Sequence, residues 1–431
     1  MLWIFLLLGI WLLLLVIANV YEISVADDRT RVIVRLVATS LLTGVIYLFL
    51  FFLFDRPIVA GQGVIADHVG MFELSSPPRL LPALILLTGL PMLIIWRMSY
   101  VQFFTSSLLR RRAVIVGAGV IGFALTHETK NLIREYEYIG FVDEDPQLHG
   151  SYVADLKVLG GYCALPAIVK EHRVDEVIIA LTGAIKGELF QTLTYCHEQG
   201  IEIKSMSRIY EEALGQVPVE YLGPNWFFNT SNSHFPTAYR ISKRLLDLSV
   251  GAVGMLILVV LLPFIALAIY LDNPGPIFYR QERSGMFGRP FYVYKFRSMI
   301  TNAEKAGHAK WAEKNDSRIT RVGKFMRRTR IDELPQFMNI FQGDMSIVGP
   351  RPERPQFVAQ LEQQIPFYRA RLNVKPGLTG WAQVRYRYGS NVEDALVKLK
   401  YDLYYIKHRS FILDMIIIIR TVGVVLALRG T

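Results

Sequence analysis

The segment LLDLSVGAVGMLILVVLLPFIALAIYL, residues 245–271, is long enough to cross a bilayer, and whether it does so decides where the rest of the chain lies. Two features argue against a crossing. Basic residues flank it on both sides, Lys243 and Arg244 before, then Arg280, Arg283, Arg289, Lys295 and Arg297 after, whereas a span gathers positive charge on one side. Pro263 stands inside the block without the amide needed to continue a helical ladder, so a bend is expected there. The segment reads as a re-entrant membrane helix that enters, bends and returns, with an ordinary kinked span as the competing reading.

Working toward the amino terminus, three more apolar segments occupy residues 1–20, 36–54 and 80–96, each near the ~20 residues of a transmembrane helix. A signal peptide competes for the first, but no basic stretch precedes it and no small-residue cleavage site follows. Arg29, Arg31 and Arg35 follow the first segment and Arg97, Arg110, Arg111 and Arg112 the third, which sets both places in the cytoplasm. The amino terminus and the loop 55–79 then lie outside. The net charge of +10 asks for anionic partners: a membrane surface first, then phosphorylated substrates. Nucleic acid is disfavoured, because the basic residues cluster beside apolar blocks and form no soluble basic face. Cys163 and Cys196 are the two cysteines, with no CxxC spacing and no neighbouring histidine cluster, which argues against a disulfide framework or a structural zinc site.

From Ala113 the pattern changes to short aliphatic runs, AVIVGAGVIG, YIGFVDEDP and VDEVIIAL, alternating with helical stretches. This predicts a Rossmann-like α/β domain over residues 113–222. Gly117, Gly119 and Gly122 form GxGxxG between strand and helix, and Asp143 ends the next strand where a ribose-binding acid would stand. Nucleotide binding and mere close packing explain the glycines equally well. A linker at residues 223–238 follows, then a compact α/β catalytic domain over residues 239–431 that carries the re-entrant helix. The closing stretch FILDMIIIIRTVGVVLAL would bury Asp414 and Arg420 in hydrocarbon at about 2.5 to 3.5 kcal/mol each, so an interfacial or docked helix is expected. The class is a mixed membrane protein.

The chemistry concentrates at RTRIDELPQF, residues 328–337, where Asp332 and Glu333 close a run of positive charge. An aspartate can attack phosphorus to give an acyl phosphate, splitting a difficult transfer into two steps. Arg327, Arg328 and Arg330 should favour its ionised form. Glu333 is then free to hold Mg2+, a hard cation that bridges phosphate oxygens. Asp344 reads as a turn residue beside Gly343 before a second metal ligand. Trp381 and Tyr386 read as membrane-interface residues before base-stacking ones.

Four clusters, FYRQERSG, FYVYKFRSM, RTRIDELPQFMNIFQGDMSIVGPRPERP and KPGLTGWAQVRY, closely resemble the bacterial sugar transferase family of polyprenyl-phosphate sugar-1-phosphate transferases. The likeness runs from about Lys243 to the end, and VDEDP and DLYYIKHRS look like its exopolysaccharide branch. It implies transfer of a sugar phosphate from a nucleotide sugar, expected to be UDP-linked, to a polyprenyl phosphate such as undecaprenyl phosphate, at the cytoplasmic face of a bacterial inner membrane. In that family the Asp of the dyad becomes phosphorylated and the Glu binds Mg2+. By the same resemblance Arg327 would hold phosphate, Arg351 would contact the nucleotide, and Lys295 and Arg297 would contact phosphate. Relatives carry four amino-terminal spans against the three read here, and often serine where Leu262 precedes Pro263.

Two other functions stay open. GxGxxG with Tyr239 and Lys243, a YxxxK match, would suit a membrane-attached NAD-dependent nucleotide-sugar enzyme. The front half could instead regulate or scaffold a glycan-assembly complex, or form a homo-oligomer.

Overall fold

The computed structural model describes residues 2–18, 29–54, 81–104, 110–129, 136–181, 183, 185, 187–223, 235–301, 303, 316, 318–386 and 391–426. The loop 55–79 and the side chains of Arg29 and Arg31, which bear on orientation, lie outside these. The chain divides into two compact units at Arg110/Arg111.

The first unit is helical. Helix α1 (Leu2–Ile17) is apolar all round but about 24 Å long, against about 30 Å of hydrocarbon. Helix α2 (Arg29–Phe54) contains an apolar stretch, Val32–Leu50, of crossing length. Helix α3 (Leu81–Leu84) passes through a π-helical turn, Ile85–Gly89, into α4 (Leu90–Phe104). Among the described residues of this unit, α2 has the length and apolarity that a crossing needs. Leu15, Val32 and Leu36 are buried together against Leu90, Leu93 and Ile94, and Trp11 donates its Nε1–H to Ser40 Oγ at 3.0 Å across α1 and α2.

The second unit begins with a six-stranded sheet of order β3-β4-β2-β1-β5-β6. Its strands are β1 (Arg111–Val116), β2 (Tyr136–Val142), β3 (Tyr152–Val153), β4 (Leu156–Gly160), β5 (Glu176–Ile179) and β6 (Glu202–Ser205), all parallel except β3. The run Ala113 to Val116 is wholly buried because helices cover both faces. Helices α5 (Val120–Thr129) and α8 (Met206–Leu214) pack on one side, α6 (Leu165–His172) and α7 (Gly187–Glu198) on the other. The glycines of GxGxxG carry a packing duty. A Cβ on Gly122 would stand 2.1 Å from Gly117 O, and Gly117 has φ +107°. Asp143 turns its carboxylate onto the loop itself, accepting from Ala118 N at 2.7 Å, so the expected ribose acid is already engaged.

After the sheet comes α9 (Thr237–Asp272), which holds Pro263 inside its span. Its exposed residues include Val253, Leu256, Val260, Phe264 and Leu267. Both ends are tied to the catalytic domain, whose elements are β7 (Phe278–Ser284), β8 (Pro290–Phe296), α10 (Arg321–Thr329), α11 (Gln336–Gln342), β9 (Ser346–Val348), α12 (Pro355–Leu361), β10 (Gly377–Thr379), α13 (Trp381–Arg385), α14 (Val392–His408) and α15 (Phe411–Leu426). Near its start, buried Asp247 accepts from Ser346 Oγ and Ile347 N at 2.9 and 2.8 Å. At its end, Asp272 accepts from Val322 N at 2.9 Å. Between them Leu258 and Ile269 join Phe296 and Met326 in one apolar cluster. Arg244 donates to the carbonyls of Ile340 and Phe341 at the end of α11.

The carboxyl-terminal helix α15 is docked. Asp414 is fully buried, accepting from Lys243 Nζ at 3.1 Å, Tyr405 OH at 2.8 Å and Tyr239 OH at 3.1 Å. Tyr239 and Lys243 thus serve this junction, and they do not form a dehydrogenase pair over the glycine loop. Trp381 corrects another expectation. It is buried, donates to Gly215 O at 2.9 Å and has the guanidinium groups of Arg385 and Arg420 over its ring, so it joins two domains and does not face lipid. Tyr386 is likewise engaged, donating to Asp394 at 2.6 Å. Around Trp381, Glu211 accepts from Lys407 at 2.9 Å and meets His408 at 2.8 Å, while Val217 and Val219 enter the catalytic core. The stretch that closes the expected Rossmann-like domain therefore packs as part of its neighbour.

Glycine lets α9 approach α11. A Cβ on Gly254 would lie 2.5 Å from the Phe337 ring, whereas one on Gly251 would sit 3.7 Å from Ile340. Gly254→Ala should therefore cost about 1 to 3 kcal/mol of stability and Gly251→Ala very little. Thermal unfolding of the detergent-solubilised chain checks this, and equal midpoints for the two variants would refute the seating of α9 through Gly254.

Candidate active site

The turn that presents the acid pair is built from capping. Thr320 caps α10 by accepting from Gly323 N at 3.0 Å, and α10 stops at Arg330, which adopts a left-handed conformation (φ 60°, ψ 13°). A non-glycine residue there is strained, and such strain persists where surrounding contacts hold it. It swings the chain into a 3₁₀ turn, Ile331–Glu333, that leads into α11 and turns both carboxylates inward. Asp332 is 8% exposed and Glu333 7%.

Their environments differ. Glu333 Oε1 receives Lys295 Nζ at 3.1 Å from β8, Arg351 Nη2 at 2.7 Å from the GPRP loop, and Arg330 Nη1 at 3.7 Å. Burial alone would raise its pKa, but Arg351, Lys295 and Arg330 together hold it well below the usual carboxylate range. Asp332 moves the other way. Burial first, and then the neighbouring Glu333 charge, push it up to about 6 against the opposing pull of Lys295, Arg327 and Arg330. The basic run was expected to favour ionised Asp332. Instead burial and the adjacent Glu333 charge outweigh those cations. Arg328 is exposed and Arg327 donates its Nε–H to Ser298 Oγ at 2.9 Å.

Of the residues expected at the site, Lys295, Arg351, Asp332 and Glu333 are brought together. Arg327 stands close enough for its charge to reach Asp332. Arg297 does not join them. It follows the end of β8 and faces the carbonyls of Asn273 and Pro274, where it closes the exit of α9. Asp344 is exposed just past the left-handed Gly343 cap of α11, as a turn residue would be.

Other contributors escaped sequence reasoning. Asn339, fully buried, accepts from Tyr294 N at 3.2 Å and donates to Tyr292 O at 2.8 Å, locking α11 onto β8. Arg371 donates to Arg351 O at 3.0 Å and to Asp402 at 2.8 Å, holding the GPRP loop against α14. A polar residue at every third place in the otherwise apolar helix QFMNIF was the available signal for Asn339. The Arg371–Asp402 pair spans 31 residues and left no local signal.

The donor set suits a magnesium ion held largely by substrate. Mg2+ commonly binds one or two carboxylates and takes phosphate and water oxygens for the rest. The contacts from Lys295, Arg330 and Arg351 all run to Glu333 Oε1, and Asp332 Oδ1 is a buried oxygen without a partner. Among the described residues no group of three or more His, Cys, Asp or Glu gathers to hold a metal unaided.

A buried acid pair ringed by basic residues, in a domain that also carries a long apolar helix, is suited to a phosphorylated substrate. Comparison with known proteins gives the family. The bacterial sugar transferase model matches residues 238–428, and a model described as a CoA-binding domain matches residues 78–207. The chain is 36% identical over 296 residues to the UDP-N-acetylgalactosamine-undecaprenyl-phosphate N-acetylgalactosaminephosphotransferase of Aeromonas hydrophila, covering 68% of this chain and 67% of that one. It is 36% identical over 270 residues to the UDP-glucose:undecaprenyl-phosphate glucose-1-phosphate transferase of Xanthomonas campestris pv. campestris, covering 62% and 56%. It is 40% identical over 187 residues to the exopolysaccharide production protein PSS of Rhizobium leguminosarum bv. phaseoli, covering 42% and 94%. The chain belongs to the bacterial sugar transferase family. It is, accordingly, a sugar-phosphate transferase.

The opposed pKa shifts give a stability test. A carboxyl whose folded pKa is raised destabilises the fold once ionised, so the penalty from Asp332 is absent below its unfolded value and fully present above about 6. Asp332→Asn should raise the melting temperature at pH 7.5, with the gain fading toward about pH 4. A variant less stable than the parent at pH 7.5 would contradict the assignment.

Proposed function

We propose that this protein transfers a sugar-1-phosphate from a UDP-sugar to undecaprenyl phosphate, releasing UMP, through a covalent intermediate on Asp332. One observation carries the reading: adjacent buried carboxylates whose environments set them apart, Glu333 fixed as an anion by three cations and Asp332 with an oxygen that no protein group satisfies. Unequal neighbours of this kind mark a division of roles.

In the first step a carboxylate oxygen of Asp332 bonds to the sugar-bearing phosphorus, and the bond from that phosphorus to the bridging oxygen breaks. The electron pair leaves with UMP. In the second step an oxygen of the lipid phosphate attacks the same phosphorus and the Asp332 carboxylate departs unchanged. Lys295, Arg330 and Arg351 offer positive charge where negative charge builds, in a site already organised before substrate arrives. Arg327, held through its Nε–H by Ser298 and near enough to act on Asp332, adds charge from the α10 side. Glu333 would hold Mg2+, which supplies charge neutralisation on the diphosphate oxygens when bound.

The membrane reading extends the same proposal. A helix of 36 residues is about 54 Å long, yet Asp247 and Asp272 are both held by the one catalytic domain. A full crossing would part those contacts, so α9 enters the membrane from the cytoplasmic face of the inner membrane and stays on that side. The reaction would then begin exopolysaccharide or another surface glycan.

The test is UMP release from a panel of UDP-sugars by detergent-solubilised protein with undecaprenyl phosphate and Mg2+. Lipid-dependent UMP from one donor is expected, with ping-pong kinetics, and Asp332→Asn should abolish it. Abundant product from Asp332→Ala would overturn the covalent role.

A further inference from the structure

One buried group beside the acid pair has no assigned task. Gln336 is 3% exposed, and its Nε2 has no hydrogen-bond partner. A buried amide donor left unpaired costs stability, and such groups in a folded protein call for a ligand or a functional reason. Its position supplies one. Gln336 opens α11, four residues after Asp332 and three before Asn339, so all three share one face of a continuous helical path. Asn339 fixes that face against β8 through Tyr292 and Tyr294, and the next residue of β8 is Lys295, which grips Glu333. The two orphaned buried atoms of this face, Asp332 Oδ1 and Gln336 Nε2, are one acceptor and one donor.

We infer that Gln336 is a further catalytic residue, its carboxamide N–H donating to a non-bridging oxygen of the sugar-bearing phosphorus while Asp332 attacks. This rests on the covalent reading of Asp332. The bond made is the one from Asp332 to phosphorus and the bond broken is the one to the bridging oxygen, and Gln336 neither gains nor loses a proton. As a neutral donor it would recognise the phosphoryl group without competing with Mg2+ for carboxylates or drawing charge from Glu333.

Gln336→Met keeps the length of the side chain and removes the donor. The full chain in detergent is mixed with the UDP-sugar donor and Mg2+ but no lipid, and both UMP release and the mass of the Asp332 adduct are followed over one turnover. Gln336→Met should slow adduct formation by about 10² or more, as loss of a preorganised donor does elsewhere, with a smaller change in KM. The same variant should melt a few degrees higher, because an unsatisfied buried amide has been replaced by an apolar group of like shape. Gln336→Glu, which sets a carboxylate against the phosphate, should be at least as slow.

A wild-type rate in either variant overturns the inference. So does slow chemistry in Gln336→Met accompanied by a lower melting temperature, since that pair of results describes a structural residue. If the wild-type protein turns over with lipid yet forms no adduct, it is the covalent reading of Asp332 that fails, and the inference falls with it.

Discussion

The grip of three cations on a single oxygen, Glu333 Oε1, is the contact on which the catalytic half depends. Lys295 comes from the β7–β8 hairpin, Arg330 from the left-handed turn after α10, and Arg351 from the loop after β9. None of these elements is large enough to hold a unique position by its own core, and a shared anion fixes all three relative to one another. Burying that carboxylate without partners would cost several kcal/mol, so anion and cations are only stable together. The strain at Arg330 and the sequestration of Asp332 stem from the same arrangement.

A second tier holds the first. Asn339 attaches α11 to β8, and Arg371 with Asp402 attaches the Arg351 loop to α14. Arg244 and Asp247 fasten α9 to the far side of the same layer. The apolar helix and the polar site are thus one construction: the residues that seat α9 are hydrogen-bonded to the backbone that frames the acid pair.

The features legible in the sequence were local. Apolar blocks, the strand–glycine–helix pattern at Gly117 and the acid pair within a basic run are each contained in a few consecutive residues. Lys295 and Arg351 were named through family resemblance, as contacts of phosphate and nucleotide; their pairing with Glu333, from 38 and 18 residues away, left no local signal. Arg297 misled because it is two residues from Lys295, yet it lies just past the end of β8, where its guanidinium finds the carbonyls at the exit of α9. Trp381 misled because an amphipathic aromatic suits a lipid interface and a domain junction equally; only the carbonyl of Gly215, 166 residues away, distinguishes them. Net charge in the neighbourhood was also a poor guide to Asp332, because burial and one adjacent anion outweighed several cations.

The placement of Val217 and Val219 alters how the two soluble domains can be parted. Val217 donates its amide to Lys400 O at 3.0 Å, and both valines fill the catalytic core although they precede the linker in the chain. The covalent joint and the cooperative joint are therefore at different places. A nick or an insertion after Leu222 would leave a strap of the first domain threaded into the second, so fragments should remain associated, while a cut just after Leu214 would take away part of the other domain's interior. Gene fusions or exchanges within this family that keep the catalytic part folded would be expected to carry this strap with it.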